Sequence, residues 1–260
     1  MRIGFVGTGV ITEAIVTGLL RAEFTIEEIV VSPRSEARSA RLAALSPLVR
    51  VASDNQDVVS ACDVVFLAVR PQIAEEVVRP LSFTPGTIVA SLIATIPIPT
   101  LRQWIGADVE LSRAVPLPFV AELRGVTVVY PASAVLDRIF GELGTVIDCD
   151  TVDEFDAFAV AGGLMGAYFG FAETCAQWLN AADVPADKAR AYLAPFFHGL
   201  AGSAVAAPEK SFEDLRMEHS TAGGLNEQMH ERFRREGGLR ALTVAMDAVA
   251  ERIAKARGRA

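Results

Sequence analysis

The first two dozen residues constrain the fold more than any other stretch. Arg2-Ile3-Gly4-Phe5-Val6 is a short apolar run that reads as a buried strand, and Gly7-Thr8-Gly9 follows it directly. A helical pattern then runs from Val10 to Arg21, with Ile11, Ala14, Ile15, Gly18 and Leu19 on one face. Strand, glycine turn and helix in this order open a dinucleotide-binding βαβ unit. Gly7 permits the tight turn. Gly9, without a side chain, lets a pyrophosphate approach the backbone. Gly7, Thr8, Gly9, Val10 and Ile11 are the expected binding segment, because unpaired N–H groups and the positive end of the helix dipole face the phosphate there. Thr12 stands where the fingerprint has its third glycine.

Glu28 to Ser32 reads as the second strand, and its end selects the cofactor. A site for NAD places an acidic residue here to accept from the ribose 2′-hydroxyl; this chain has Ser32-Pro33-Arg34-Ser35. Without the carboxylate there is no repulsion, and Arg34 with the hydroxyls of Ser32 and Ser35 can hold a 2′-phosphate. The same stretch also reads as an ordinary helix start capped by Ser32 or Ser35. The expected cofactor is NADP.

The α/β pattern continues. Glu36 to Leu45 reads as a helix, Val49 to Ala52 as a short strand, and Asp54 as the cap of a helix over Asn55 to Ala61. Asp63 to Val69 is a nearly continuous apolar run, the mark of a central parallel strand. Ligands in open α/β sheets lie beyond the carboxyl ends of strands, so Ala68, Val69, Arg70 and Pro71 are placed near the cofactor. Gly86 to Leu92 repeats the strand pattern. Pro97 and Pro99 break the chain before a helix over Thr100 to Trp104. Glu110 to Val115 is a strand ending in the rigid corner Pro116-Leu117-Pro118. Gly125 to Tyr130 and Thr145 to Cys149 complete the sheet, with a helix over Ala132 to Leu143 between them.

Beyond residue 150 the strand pattern stops. Thr151 and Glu154 form a capping box. Helices are predicted over Val152 to Ala182, Ala186 to Ala207, Phe212 to Met217, Leu225 to Arg235 and Gly238 to Arg257. The domains expected are thus a doubly wound α/β domain over 1–150 and an all-helical one over 151–260. The stretch Ala157 to Ala172 carries no charge, is rich in glycine, and is shorter than a membrane span requires. It reads as a helix apolar on every side, which needs burial by other helices. That points to a homodimer or higher homo-oligomer.

Net charge is −8 with no basic run, which argues against nucleic acid. Cys62, Cys149 and Cys175 are scattered and read as reduced thiols of a cytoplasmic protein; no signal peptide precedes the first strand. No metal-ligand spacing is visible around His198, His219 and His230. His198, beside Phe196 and Phe197, reads as a satisfied core histidine, and Met165, Tyr168 and Phe169 as core.

The order of these motifs resembles the pyrroline-5-carboxylate reductase family over nearly the whole chain. The opening glycine turn, the turn Val31-Ser32-Pro33-Arg34-Ser35 and the run Asp63 to Gln72 are similar to the family's cofactor half, with Arg70 for a lysine. Ser91 stands where a family S-I-A-A-G segment starts, Ala167-Tyr168 is similar to the end of G-S-G-P-A-Y, and Ser220 to Gly224 resembles the substrate loop S-P-G-G-T-T. The resemblance implies an NADPH-linked imine reductase with a Rossmann domain, a helical dimerisation domain and a substrate site at the dimer interface. The differences concentrate in the substrate half. Leu117 replaces the asparagine that faces nicotinamide and substrate, Gly163-Leu164-Met165-Gly166 replaces G-S-G-P, and Ala222, Leu225 and Asn226 replace the loop's proline and threonines.

The expected substrate-binding residues are therefore Leu117, Thr221, Gly223 and Gly224, with the two glycines exposing N–H groups to a substrate carboxylate as a small nest would. His219 has a suitable pKa for a proton donor, and also reads as a plain helix end. Asn226 reads as a donor to substrate or as the cap of the following helix. A 3-hydroxyacid dehydrogenase would need a lysine in a glycine-rich helical motif, and none of Lys188, Lys210 and Lys255 stands in one. F420-dependent NADP reductases share the N-terminal pattern without the long helical domain. The activity expected is reduction of a cyclic imine other than pyrroline-5-carboxylate. An NADPH-binding sensor or scaffold without catalysis is the alternative.

Overall fold

The computed structural model describes residues 1–258. Among these, β1 (Arg2–Val6), β2 (Glu28–Val31), β3 (Val49–Val51), β4 (Val64–Leu67), β5 (Ile88–Ser91), β6 (Glu110–Pro116), β7 (Gly125–Tyr130) and β8 (Gly144–Asp148) form one sheet, in the order β3-β2-β1-β4-β5-β6-β7-β8. The pairs from β3 through to β6 are parallel. β7 runs antiparallel to β6, and β8 parallel to β7. The chain leaves β1 for β2 and β3, then returns to place β4 on the other side of β1. That reversal opens a crevice at the carboxyl ends of β1 and β4.

Alternation along the central strands covers both faces. Ile3, Phe5, Val64 and Phe66 pack on one side with α1 (Val10–Arg21) and α6 (Ala134–Gly141). Val6, Val65 and Leu67 pack on the other with α3 (Asn55–Ala61), α4 (Ala74–Val78) and α5 (Ile98–Ile105). Phe5 stacks on Phe66 with ring centroids 4.9 Å apart. α2 (Glu36–Ala43) completes the first face through the fully buried Leu42.

Local chemistry departs from the sequence reading in several places. α5 begins at Ile98 and takes Pro99 into its first turn, where a missing N–H costs nothing. Pro71–Ile73 and Pro118–Glu122 are short 3-10 turns that the apolar pattern did not reveal. The predicted helix Val152 to Ala182 is two helices, α7 (Val152–Ala161) and α8 (Leu164–Ala181), broken at Gly162 and Gly163. The capping box is only half formed. Glu154 N–H donates to Thr151 Oγ1, but the Glu154 carboxylate accepts from Asp150 rather than from Thr151.

The chain divides into two units. One holds Met1–Ala159 together with the described residues from Ala250 onward, and the other is Val160–Val249. In the first, α7 is anchored by Phe155, fully buried, and by Asp156, which ion-pairs with Arg113 and Arg257. The second unit is helical: α8, α9 (Ala186–Ala206), α10 (Phe212–Glu218), α11 (Leu225–Arg235) and most of α12 (Gly238–Ala256). Tyr168 and Phe171 of α8 meet Phe197 of α9, and Phe171 also reaches Phe233 of α11.

Within the single chain α8 buries no residue. Phe169 and Trp178 are 65% and 71% exposed, and His198 is exposed as well. The core readings of Tyr168, Phe169 and His198 are therefore corrected: one chain has too few helices to enclose α8 and α9. Taken together, Val152–Ala181 is long and apolar enough to cross a membrane by length and composition. The Gly162–Gly163 break divides it into α7, packed and ion-paired within the first unit, and α8, which belongs to the second.

Candidate active site

A hollow of about 420 Å³ lies at the carboxyl ends of β1, β2 and β4. Its floor is the turn after β1. Gly7 has φ 109, which an L side chain avoids, and its N–H donates to Ser32 Oγ at 2.9 Å. Thr12 Oγ1 donates to the Gly7 carbonyl at 2.7 Å. The threonine in the third fingerprint position thus braces the turn from inside the helix. Thr8 Oγ1 and Ser39 Oγ both donate to the Ser32 carbonyl, at 3.2 and 2.8 Å, so the turns after β1 and β2 are tied together. Gly9 is the N-cap of α1, and the space where its Cβ would stand is open. The unpaired amides of the first turn of α1 are thereby accessible to an anion.

Gly7, Thr8, Gly9, Val10, Ser32, Arg34, Ser35, Ala68, Val69 and Arg70 all line this hollow, together with Arg38, Asn55, Ile73 and Val77, which the motifs did not reveal. Two expected residues do not. Ile11 turns its side chain onto the core beside α1, and Pro71 is exposed at the start of the 3-10 turn. Ser32 is 1% exposed and its oxygen is engaged by Gly7, so its first task is bracing the turn. Ser35 occupies the N-cap of α2 without a capping bond from its side chain, which leaves the hydroxyl available. Three arginines and no acidic side chain line the hollow. That composition suits a phosphorylated ribose and disfavours a free 2′-hydroxyl. The buried thiols contribute nothing reactive: burial pushes Cys62 up to about 12 and Cys149 to about 11.

The corner after β6 is held by backbone. Leu117 N–H donates to the Val126 carbonyl at 3.1 Å, and Leu117 is the N-cap of the Pro118–Glu122 turn. That turn packs tightly on α1, where a Cβ on Gly18 would lie 2.3 Å from the Val120 carbonyl oxygen. Leu117 is half-buried and offers no polar atom from its side chain. Upstream on β6, Arg113 is 1% exposed. It donates to the Ala94 carbonyl, faces Asp156 at 3.4 Å, and lies 4.4 Å from the centre of the Phe155 ring. Its Nε has no partner, and desolvation pulls its pKa below the ordinary value.

The loop of the second unit is internally satisfied. Gly223 N–H donates to Glu227 Oε2 at 2.6 Å, and Gly224 N–H to the Thr221 carbonyl at 2.8 Å. The expectation that both glycines present free amides is corrected: a carboxylate of the chain itself, Glu227, holds the first. One N–H of the Asn226 side-chain amide donates to the His219 carbonyl at 2.6 Å, so it braces the loop, and the side chain does not cap α11. His219 is exposed at the C-cap of α10, with Nδ1 2.8 Å from the Leu215 carbonyl. The Nδ1–H tautomer donates there and leaves Nε2 as an acceptor, so His219 gives up a proton only from its imidazolium form. A sequence signal for the Gly223–Glu227 bond existed only as an acidic residue in the first turn of α11.

Residues 2–95 match the family described as NADP oxidoreductase, coenzyme F420-dependent. The chain is 29% identical to a pyrroline-5-carboxylate reductase of Pisum sativum over 213 residues, covering 78% of this chain and 77% of the relative. The solved structure of a pyrroline-5-carboxylate reductase from Coxiella burnetii is 25% identical and superposes with a TM-score of 0.83, covering 98% of this chain and 97% of the other. An imine reductase from Streptomyces aurantiacus, at 16% identity and a TM-score of 0.55 over 100% of this chain and 96% of the other, shares the fold.

Proposed function

We propose that this chain, a divergent member of the pyrroline-5-carboxylate reductase family, reduces the C=N bond of a cyclic imine. It is an NADPH-dependent oxidoreductase. The observation that carries the reading is the hollow at the β1/β4 crevice, lined by Arg34, Arg38 and Arg70 with no carboxylate. When bound, the cofactor supplies a hydride from its nicotinamide. The amides of Gly9 and Val10 and the dipole of α1 receive the pyrophosphate, and Arg34 and Ser35 receive the 2′-phosphate. An imine that arrives protonated needs no acid from the protein.

The substrate is bounded on one side by Leu117 and Pro118 and on the other by the loop His219 to Asn226 of a second copy of the chain. Leu117 offers no amide, which favours a less polar or bulkier imine than pyrroline-5-carboxylate. An unpaired buried polar group costs about 1–3 kcal/mol. The exposed aromatic residues of α8 and α9, Phe169, Trp178 and Tyr192 among them, support assembly into a homodimer or larger homo-oligomer. Sedimentation at micromolar concentration tests this, and a monomer would contradict it. The reduced thiols fit a cytoplasmic location.

The test of activity is NADPH oxidation across a panel of cyclic imines and small keto acids. Turnover of a cyclic imine, with pyrroline-5-carboxylate poor or inactive, supports the reading. Efficient use of pyrroline-5-carboxylate overturns its substrate half. The internal occupation of the Gly223 and Asn226 donors favours one other reading, an NADPH-binding sensor without catalysis. Tight NADPH binding with no oxidation by any compound would select it.

A further inference from the structure

Arg34 and Arg38 lie one helical turn apart at the same edge of the cofactor hollow, yet they are held very differently. Arg34 is exposed and makes no hydrogen bond or ion pair among the described residues. Arg38, on α2, is 34% exposed in its side chain and fixed at two points. Its Nε lies 3.3 Å from Glu13 Oε2, and its Nη1 donates to the Thr8 carbonyl at 3.2 Å. Glu13 comes from α1 and is itself steadied by Arg41, whose Nε donates to Oε1 at 3.0 Å. An arginine side chain loses considerable rotamer freedom when it is ordered, and here the protein imposes that order before any ligand arrives.

A guanidinium has five N–H donors in a fixed fork, and these contacts engage two of Arg38's. The rest remain for a ligand in the hollow. A phosphate monoester carries about −1.5 to −2 charges at neutral pH, more than Arg34 alone balances. The cluster of Arg34, Arg38 and Arg41 against the single carboxylate of Glu13 leaves two positive charges in excess. The carbonyl that steadies Arg38 belongs to Thr8, inside the glycine turn. The residue is therefore built into the same frame that receives the pyrophosphate.

We propose that Arg38 is a second, pre-oriented anchor for the adenosine 2′-phosphate of NADPH, held in place by Glu13 and Thr8, and that it carries discrimination against NADH together with Arg34. The inference rests on the cofactor and not on which imine is reduced, so it is tested by binding alone.

NADPH and NADH are titrated separately into the full-length protein without substrate, with 2′,5′-ADP and 5′-AMP as adenosine-half probes. Arg38→Ala is expected to weaken NADPH and 2′,5′-ADP by about 10- to 100-fold, the range of one charge-assisted contact, and to change NADH and 5′-AMP by less than about threefold. Arg38→Gln, which removes the charge but keeps a polar side chain on α2, should lose the same preference. It serves where the alanine variant fails to fold. A NADPH-to-NADH affinity ratio that stays within about threefold of the parent in the folded variant overturns the proposal. So does a loss shared equally by both cofactors. A parent protein that binds neither cofactor would instead defeat the cofactor assignment itself.

Discussion

Gly7 and Ala68 approach so closely that a methyl group on Gly7 would stand 2.5 Å from the Ala68 carbonyl oxygen. The contact joins the turn after β1 to the end of β4 across the crevice, and Gly7 holds it with φ 109. Gly7→Ala therefore meets backbone on one side and an unfavourable φ on the other. We expect a loss of about 1–3 kcal/mol in stability and loss of NADPH binding. Chemical denaturation and cofactor titration check both. A variant as stable as the parent that still bound NADPH would show that the turn can relax.

Much of the first unit was legible because each strand is an apolar run and each turn carries its own residue chemistry. Asp54 caps α3 as its type and position foretell, donating nothing and accepting from Asp57 N–H at 2.8 Å. The misses have separate causes. Arg257 finds Asp156 from 101 positions away, and no local pattern announces it. Arg38 was hidden because its spacing from Arg34 looks like an ordinary polar helix face. The Gly223 amide looked free because its acceptor is a common surface residue. The break at Gly162–Gly163 was visible as two glycines, but an otherwise unbroken apolar pattern outweighed them.

Loss of Asp156 should cost the first unit far more than loss of a surface carboxylate. It stands between two buried guanidiniums, Arg113 at 1% and Arg257 at 8% side-chain exposure. Asp156→Ala strands Arg113 and leaves Arg257 with Asp153 alone, and removing one partner of a buried ion pair costs about 3–5 kcal/mol. The contrast is Asp57→Ala at the 2.8 Å pair with Arg50, whose side chains are 29% and 39% exposed. Water screens that pair, and its coupling should be only about 0.2–1 kcal/mol by double-mutant cycle. Urea unfolding of both variants decides the order; an equal cost would show that the buried cluster is no stronger than a surface pair.

Asp137 gives a pH dependence of defined sign. One carboxylate oxygen is buried without a partner, and burial together with the nearby Asp148 raises its pKa. A carboxyl group whose folded pKa is raised costs stability above that pKa, where it must be charged in the fold. The cost disappears below the ordinary carboxylate value of about 4, where folded and unfolded chains are both protonated. Asp137→Asn should therefore raise the melting temperature at neutral pH, and the gain should shrink as pH falls toward that value. Thermal melts over this range check it; a gain that persisted unchanged at low pH would remove the charge from the explanation.

The Gly223–Glu227 bond leads to a prediction about substrate charge. Glu227 places a carboxylate on the backbone N–H that the loop could otherwise offer to an acidic substrate. A substrate carboxylate would have to displace it, moving one negative charge aside while bringing in another. Glu227→Ala frees the amide and removes the repulsion together. A hydrogen bond to a charged group is worth about 1.5–3 kcal/mol, so KM for pyrroline-5-carboxylate should fall about tenfold or more. The carboxylate is remote from the reacting C=N bond, so the gain is in binding that ground and transition states share. kcat should then stay nearly constant. An imine without a carboxylate should show neither change. Steady-state kinetics on the two substrate types separates the outcomes. A KM that falls for both would mean that the substitution acts on the loop's shape, and an unchanged ratio would mean that Glu227 has no part in selecting the substrate.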